Sequence, residues 1–427
     1  MAERPEVVIT GLGAVTPYGC GVGLLWDGLL ESRPTARQIT RFDATGFAVR
    51  FACEVAGFDP FTNLPRKLVR QVDSFGQYAL VAAEEALGQA GLLGSSEDDG
   101  LRVPIEGVDP DRIGTVVASG AGGIQEMTEQ LDRLRAVGPD RVRPYLTIAM
   151  PANMGGGQIA LRHGLRGPSY SVVSACASAG DAVGSALDLI RAGRVDVVVA
   201  GGAEAAITPL MVAGFAAGGA LSRRNDDPQL ASRPFDVHRD GFVLGEGAGL
   251  LVLERADHAA ARGARSLAVL AGYGVSNDAH HATRPPPGGE GAARALRLAL
   301  ADAGLEPGDV DHLNAHGTST PLNDPAEAAA IRAVFGSRTD EIPVTSTKSA
   351  IGHLLGAAGG VEAVATVQAL ARGVVPPTQN LEELDPDCPL DVVHGQPRPA
   401  PPGVALSNSF GFGGHNAVLA MTSVDQR

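Results

Sequence analysis

The stretch SYSVVSACASAGDAVGSALDLIRAGRVDVVVAGG, residues 169–202, has the pattern of a strand, a helix and a second strand. Both ends are short apolar runs rich in valine, which is typical of buried strands. The middle, Ser178–Ala192, carries apolar side chains at helical spacing and is followed by Gly193, a residue type that commonly ends helices. Units of this kind join parallel strands, so the stretch predicts an α/β fold.

The same alternation of strands and helices extends over the chain. Apolar runs predict strands at residues 6–10, 112–120, 169–175, 195–202, 247–254, 310–317, 342–347 and 404–409. Segments rich in alanine and leucine predict helices over Phe75–Ala90, Ser178–Ala192, Gly291–Ala303 and Gly360–Arg372. Segments rich in Gly, Pro or charge predict loops at 91–111, 284–291 and 395–403. We predict two α/β halves, residues 1–265 and 266–427, and a loose similarity between residues 194–202 and 309–317 suggests a duplication.

Composition excludes several classes of protein. The chain has 427 residues, of which 44% are hydrophobic and 19% charged, so it can bury a large core. The sequence shows no secretory leader and no apolar stretch long enough to cross a bilayer, so we expect a cytoplasmic protein with no membrane partner. The net charge of −14 argues against nucleic-acid binding. The cysteines lack the spacing of a zinc site or a disulfide framework, and they are Cys20, Cys53, Cys176 and Cys388.

One cysteine has an unusual position. Cys176 lies between a predicted strand and the first turn of a predicted helix. The free N–H groups and the dipole of a helix N-terminus favour a thiolate, which would make this sulfur a nucleophile near neutral pH. A small buried core residue is the alternative for any single cysteine.

Two segments of the second half offer partners for such a nucleophile. They are NAHGTSTPLNDPAE (314–327) and TSTKSAIGHLLGAAGGVE (345–362). Each begins at the end of a predicted strand and carries one histidine, His316 or His353. A lone histidine is usually structural, but two strand-end histidines and a strand-end cysteine fit one pocket at the carboxyl ends of the strands.

Four motifs follow one another along the chain: SACAS (174–178), NAHGTST (314–320), STKSAIGHLLGAAG (346–359) and SNSFGFGGHN (407–416). With TGLGAVTPYG (10–19), DVVVAGGAEA (196–205), residues 221–249 and VPPTQNLEELDPDC (375–388), they resemble the β-ketoacyl-ACP synthases of the thiolase superfamily, most closely the type II elongating enzymes. The resemblance covers nearly the whole chain. It implies a thiolase-like fold of duplicated α/β halves in a layered α-β-α-β-α arrangement.

The resemblance also implies a reaction, a decarboxylating Claisen condensation. An acyl chain would pass from acyl-ACP (acyl carrier protein) to Cys176, and malonyl-ACP would then lose CO₂ and attack the acyl thioester. His316 and His353 would hold the malonyl thioester oxygen, and the backbone N–H groups of Cys176 and Phe412 would form the oxyanion hole. Phe412 would also act as a gate, with Lys348 and Glu362 in support. Neither a metal nor a bound cofactor is expected, since the substrates are carried on the phosphopantetheine of ACP.

Partners follow from the same resemblance. ACP is acidic, so we expect a basic docking surface despite the negative net charge. The matching basic residues are Arg66, Lys67, Arg70, Arg223 and Arg224, with Arg141 and Arg143 as weaker candidates. Ala121 stands where related synthases often carry a larger aliphatic residue in the acyl pocket, so we expect more room there. The family usually forms homodimers.

Alternatives remain at this point. GLGAVT (11–16) resembles the dinucleotide-binding fingerprint G-x-G-x-x-G, but it has Thr16 at the sixth position, where the fingerprint requires Gly or Ala. A degradative thiolase needs a second cysteine late in the chain, where only Cys388 is found, and the third class of ketoacyl synthases has Asn where His353 stands. A non-catalytic partner subunit lacks the nucleophile. The runner-up is a ketosynthase subunit of a type II polyketide synthase, which would pair as a heterodimer with a chain-length-factor-like subunit.

Overall fold

The computed structural model describes residues 4–94, 103–400 and 403–424. Its strands are β1 (Val7–Thr16), β2 (Gly19–Cys20), β3 (Arg37–Gln38), β4 (Phe51–Ala52), β5 (Ile113–Ala118), β6 (Ser169–Tyr170), β7 (Val197–Glu204), β8 (Gly247–Arg255), β9 (Ala268–Asn277), β10 (His312–Asn314), β11 (Val344–Thr345), β12 (Val374–Val375), β13 (Arg398–Pro399), β14 (Val404–Gly411) and β15 (His415–Thr422).

The α-helices in the same ranges are α1 (Val22–Leu30), α2 (Pro60–Asn63), α3 (Arg66–Val69), α4 (Ser74–Gln89), α5 (Ile124–Val137), α6 (Leu146–Ala149), α7 (Met154–His163), α8 (Ser178–Arg191), α9 (Pro209–Ala217), α10 (Ala256–Ala261), α11 (Glu290–Ala303), α12 (Asn323–Phe335), α13 (Lys348–Ile351) and α14 (Ala358–Arg372). Among the described residues, none of these helices combines the length and apolar character needed to cross a membrane.

The main sheet consists of two sets of five strands with the same internal order. The spatial order is β11-β10-β14-β15-β9-β1-β8-β7-β5-β6, with β2 paired beside β1. Numbered within its own set, each half runs 3-2-4-5-1, with strands 3, 2 and 4 parallel to one another and strand 5 antiparallel to both of its neighbours. The two sets join where β1 pairs with β9 at Ile9 and Ala268. The repeated topology indicates a duplication, and the division at residues 265 and 266, between the two sets, stays a prediction.

The helices form three layers around these strands. α8 and α14 pack against each other and against strands of both sets, where they share one buried apolar cluster. α4 and α7 cover the outer face of the first set, and α11 and α12 cover the outer face of the second. The predicted α-β-α-β-α arrangement of the α/β fold is therefore confirmed.

Glycines let the outer helices approach the first strand of each half. A Cβ added at Gly11 or Gly13 in β1 would lie 2.0 Å or 1.8 Å from a carbonyl oxygen of α4. In β9, a Cβ at Gly272 or Gly274 would lie 2.5 Å or 2.1 Å from a carbonyl oxygen of α11. GLGAVT is thus the interior of a strand packed against a helix, which excludes the strand-to-helix turn that a dinucleotide site requires.

Most predicted elements are present in the structure, and the following differences bear on the site or on the duplication. The strand predicted over 169–175 ends at Tyr170, because the chain then leaves the sheet and the Ser174 N–H donates to Ser178 Oγ at 2.9 Å. The central strands β9 and β15 were not predicted. The similarity suggested between residues 194–202 and 309–317 aligns β7 with β10. These strands are not equivalent, because β7 is the fourth strand of the first set and β10 is the second strand of the other. Of the predicted loops, residues 95–102 and 401–402 lie outside the described residues.

Candidate active site

Cys176 lies in a short turn that leads into α8. The turn spans Ala175–Ala177, and Ala175 has a φ of 53°. The Ser178 hydroxyl stabilises the turn by donating to the Ala175 carbonyl at 2.6 Å. An equivalent turn, Leu355–Ala357, precedes α14, and its first residue has a φ of 48°. The duplication therefore places a similar turn before a helix in each half, and Cys176 lies in the turn of the first half.

The two predicted histidines share a cavity with this cysteine. The cavity has a volume of about 390 Å³ and is lined by Cys176, His316, His353 and Phe412, among other residues. The rings of His316 and His353 meet edge to face, with centroids 5.4 Å apart. Half of the chain supplies the sulfur and the other half supplies both imidazoles, so the site lies at the junction of the two sets of strands.

His353 is held by its backbone and by one ring nitrogen. Its N–H donates to the Val243 carbonyl at 2.7 Å, and its carbonyl accepts from the Gly245 N–H at 2.9 Å. Its Nδ1 accepts the Leu355 N–H at 3.3 Å, which assigns the ring proton to Nε2. Burial, with a further effect of Lys348, lowers the pKa of His353 well below its usual value. This imidazole is neutral and carries its proton on Nε2.

His316 has the same character through different contacts. The Glu327 carboxylate accepts the N–H groups of His316 and Gly317, each at 2.8 Å. The Lys348 ammonium lies 3.3 Å from His316 Nδ1, so this nitrogen acts as the acceptor and Nε2 carries the proton. Burial, Lys348 and His353 all lower the pKa of His316 well below its usual value.

Lys348 and Glu362 form an ion pair beside the histidines. Both side chains are about 98% buried, and the ammonium bonds directly to Glu362 Oε1. Burial raises the pKa of the Glu362 carboxyl, and the nearby Lys348 charge opposes that rise. The structure thus places both predicted supporting residues at the site, where Lys348 links the carboxylate to His316.

The ionisation of Cys176 differs from the prediction. Burial raises the pKa of its thiol to about 11, although Lys348 and the nearby backbone N–H of Phe412 both lower it. Removing the sulfur from water thus opposes the thiolate that the helix N-terminus was predicted to favour near neutral pH. The thiol is the resting form.

Phe412 lies in a glycine turn beside the cysteine. A Cβ added at Gly411 would lie 2.6 Å from the Ser174 carbonyl oxygen and 3.1 Å from the Cys176 nitrogen, so only glycine allows this approach. Phe412 lines the cavity and is 40% exposed. The backbone N–H groups of Cys176 and Phe412 both lie near the sulfur, and their role as an oxyanion hole stays a prediction.

Ala121 lies near the site without lining the cavity that contains the sulfur. It packs against the apolar cluster that includes Cys176. Its N–H donates to the buried Glu204 carboxylate at 3.1 Å, as does that of Gly356 at 3.0 Å. Glu204 was not predicted as a site residue, although it lies within a quoted motif. Its carboxylate connects the segment of Ala121 to the turn that follows His353.

The predicted basic docking residues lie outside the cavity. Arg66 and Lys67 are exposed on α3, which Arg70 follows, and Arg223 is exposed on a loop. Arg224 is engaged within the chain, since its guanidinium donates to the His238 carbonyl at 2.7 Å. Their contact with a partner stays a prediction.

Sequence reasoning missed several residues that line the cavity. They are Phe242, His281, Thr283, Arg284, Thr318 and Thr320. Thr318 and Thr320 belong to the motif NAHGTST, whereas His281, Thr283 and Arg284 come just before a run of prolines. That proline run indicated only a loop.

Two family models match the chain. The model for the N-terminal domain of β-ketoacyl synthases matches residues 4–259, and the model for their C-terminal domain matches residues 267–382. The chain belongs to the β-ketoacyl synthase family. A protein of Synechocystis sp. named 3-oxoacyl-[acyl-carrier-protein] synthase 2 is 48% identical over 418 residues, 98% of each chain. A Coxiella burnetii protein of the same name is 43% identical over 422 residues, 99% of each chain.

Solved structures of other β-ketoacyl synthases have the same fold. A β-ketoacyl synthase from Burkholderia phymatum superposes with a TM-score of 0.89 at 36% identity and covers 98% of this chain and 100% of its own. The ishigamide ketosynthase/chain length factor gives 0.88 at 38% identity, with 99% and 100% coverage. A type II polyketide ketosynthase in complex with its acyl-carrier protein gives 0.89 at 34% identity, again with 99% and 100% coverage.

Proposed function

We propose that this chain is a 3-oxoacyl-ACP synthase of the elongating type, which joins an acyl thioester to malonyl-ACP with loss of CO₂. The observation that carries the proposal is the single cavity that brings together the Cys176 thiol and two neutral imidazoles, His316 and His353. The name shared by relatives that are 42–48% identical over almost the whole chain supports it.

In the first half-reaction the acyl group moves to the enzyme. Cys176 Sγ attacks the carbonyl carbon of acyl-ACP, and the N–H groups of Cys176 and Phe412 stabilise the negative oxygen of the tetrahedral intermediate. The bond to the pantetheine sulfur then breaks, and the proton lost by the thiol balances the proton gained by the departing sulfur. The new thioester has an energy similar to that of the old one, so the acyl group is held but stays reactive.

In the second half-reaction the two histidines act on malonyl-ACP. The bond to the carboxylate breaks, CO₂ leaves, and the electron pair gives an enolate whose oxygen accepts hydrogen bonds from Nε2–H of His316 and His353. C2 attacks the acyl-Cys176 carbonyl, the C–S bond breaks, and the sulfur takes up one proton from solution. Neutral imidazoles suit this role, because they stabilise the enolate oxygen without transferring a proton to C2 before the attack.

Partners of this chain follow from the same proposal. The substrates are carried on the phosphopantetheine of ACP, an acidic protein that Arg66, Lys67, Arg70, Arg223 and Arg224 would attract. The edge strand β6 leaves Tyr170 partly exposed, and the nearby Val173 is 57% exposed. An unpaired edge beside apolar side chains is typical of an interface, which supports a homodimer.

A synthase that works with a chain length factor is the competing function. Ketosynthases that resemble this chain structurally include examples solved with such a factor. Those chains are 38% and 26% identical, below the 42–48% of the elongating synthases. We therefore favour the elongating enzyme acting by itself.

Intact mass spectrometry tests the proposal. The purified protein is incubated with saturated acyl-ACPs of increasing length and then with malonyl-ACP. One acyl group on Cys176 and a single extension by this protein alone are expected. Acylation that needs a second subunit, or only polyketide chains as substrates, would favour the competing function.

Two variants assign the steps. Cys176→Ala should prevent acylation without changing the melting temperature, and acylation of another residue in that variant would refute the assignment. His353→Ala should retain acylation of Cys176 and suppress malonyl decarboxylation. An unchanged decarboxylation rate would exclude His353 from that step.

A further inference from the structure

One charged side chain at the entrance of the catalytic cavity makes no side-chain hydrogen bond or ion pair with any described residue. Arg284 lines the cavity and is also exposed, which places it where the cavity opens to solvent. Its backbone N–H donates to His281 Nδ1, but within the described residues its guanidinium makes neither a hydrogen bond nor an ion pair. A guanidinium without a partner carries five donors that a ligand can use.

Arg284 is also the only lysine or arginine among the described residues that line the cavity. The two carboxylates in the lining are already engaged. Asp278 Oδ1 accepts from Asn416 Nδ2 at 2.8 Å, and Glu327 accepts the backbone N–H groups of His316 and Gly317. The rest of the lining is largely apolar or carries hydroxyl groups. The cavity therefore presents one free positive charge at its entrance and a thiol inside.

The segment that carries Arg284 is held in place. Three prolines, Pro285, Pro286 and Pro287, follow it and restrict the backbone. On the other side, the Gly413 N–H donates to the Ala282 carbonyl at 2.7 Å, which ties the segment to the turn that carries Phe412. The guanidinium thus starts from a fixed backbone position, which lowers the entropy lost when it binds a ligand.

We propose that Arg284 binds the phosphate of the phosphopantetheine arm at the entrance of the cavity while the thioester reaches Cys176. The inference rests on the proposed function, which requires an arm that ends in a thioester and begins at a phosphate. An arginine fork matches phosphate oxygens with two parallel hydrogen bonds. Since the phosphate is common to every ACP substrate, this contact would serve both half-reactions and would not discriminate between acyl chains.

The test compares substrates that differ only in the phosphate. The rate constant for acylation of Cys176 is measured by intact mass with acyl-phosphopantetheine and with acyl-pantetheine that carry the same acyl group. For Arg284→Ala, a loss of about tenfold is expected with the phosphorylated substrate, the effect of one charge-assisted contact at an exposed position. The rate with acyl-pantetheine should stay within about twofold of wild type, which also shows that the variant is folded.

Matched variants and a protein substrate complete the design. Arg265→Ala removes the same charge from an exposed position outside the cavity and should leave both rates unchanged. Arg284→Lys keeps the charge without the planar fork and should recover only part of the loss. With acyl-ACP, Arg284→Ala should lose about as much as with acyl-phosphopantetheine.

Three outcomes would overturn the inference. Equal losses with both small substrates would show that Arg284 acts on the structure of the site. A loss confined to acyl-ACP would show that the guanidinium meets a carboxylate of the carrier protein instead of the phosphate. A wild-type protein that no acyl substrate modifies would refute the proposed function, and the inference with it, whereas the first two outcomes leave that function intact.

Discussion

Replacing Lys348 by methionine should lower both the stability of the folded protein and its activity, because it leaves the Glu362 carboxylate buried without its cation. Both side chains are about 98% buried. Removing one member of such a pair typically costs about 3–5 kcal/mol. For a chain of 427 residues the entropy of unfolding is about 0.9 kcal/mol per degree, so the melting temperature should fall by about 3–6 °C.

The loss in Lys348→Met should depend on pH. Burial raises the pKa of Glu362, and the variant lacks the charge that opposes this rise. Its carboxyl then has a higher pKa in the folded than in the unfolded state, so the folded state binds more protons. Stability is therefore greatest at low pH and is lost as pH rises through the folded-state pKa. The difference in melting temperature from wild type should be smaller at about pH 5.5 than at about pH 8.

The double variant Lys348→Met/Glu362→Leu is the control. It removes both charges and fills the space with apolar groups, so its melting temperature should lie closer to wild type than that of either single variant, with little dependence on pH. Thermal unfolding followed by circular dichroism gives all four values. Additive losses in the double variant, or single variants within about 1 °C of wild type, would refute the reasoning.

Activity separates the two roles of Lys348. The ammonium that lies 3.3 Å from His316 Nδ1 keeps the ring proton on Nε2, where the enolate needs it. The double variant should therefore remain at least about tenfold slower in malonyl decarboxylation, although its stability has recovered. Recovery of both properties together would show that the pair acts only on stability.

Two further predictions concern the sulfur and the packing of β1. In a Cys20→Ser background, the rate of alkylation of Cys176 by iodoacetamide should rise about tenfold per pH unit up to about pH 9. This is expected because burial raises the pKa of the thiol to about 11. A plateau of the rate below pH 8 would contradict the prediction. Gly13→Ala should lower the melting temperature strongly or prevent folding, because its Cβ would lie 1.8 Å from the Ala82 carbonyl oxygen. The control Gly23→Ala has open space around the Cβ and should leave the melting temperature unchanged. Equal melting temperatures of the two variants would refute the packing argument.

Much of the architecture was predictable from local patterns. In the valine-rich strand β7 and in the helices α8 and α14, the spacing of apolar residues is typical of one type of element, and the ends of each element are marked in the sequence. The local pattern therefore predicts the same residues to be buried as the structure buries. β9 was missed because its glycines interrupt the apolar pattern, yet Gly272 and Gly274 are there to admit α11. The G-x-G pattern shared by β1 and β9 was the signal for the duplication, and it differs from the similarity that the sequence suggested.

The site was predictable in its members and less so in its electrostatics. Cys176, His316 and His353 lie at or just after the ends of predicted strands, which is where an α/β fold gathers side chains. The pKa of Cys176 depends on how much protein covers the sulfur, and that is a property of the tertiary structure. Glu204 and Arg284 were missed for the same reason, since a buried carboxylate that accepts backbone N–H groups and an arginine at a cavity entrance have no local signature.

The close packing of α8 on α14 has a consequence for inhibitors and for laboratory evolution. A Cβ added at Gly359 would lie 2.9 Å from the Gly180 nitrogen, so these helices approach to within the limit that glycine allows, and each starts at a turn of the site. The spacing of Cys176 and His353 is therefore set by a tightly packed pair of helices. A rigid inhibitor can be designed to fit that fixed spacing, whereas libraries that aim at new substrates should vary exposed lining residues such as His281 and Thr283.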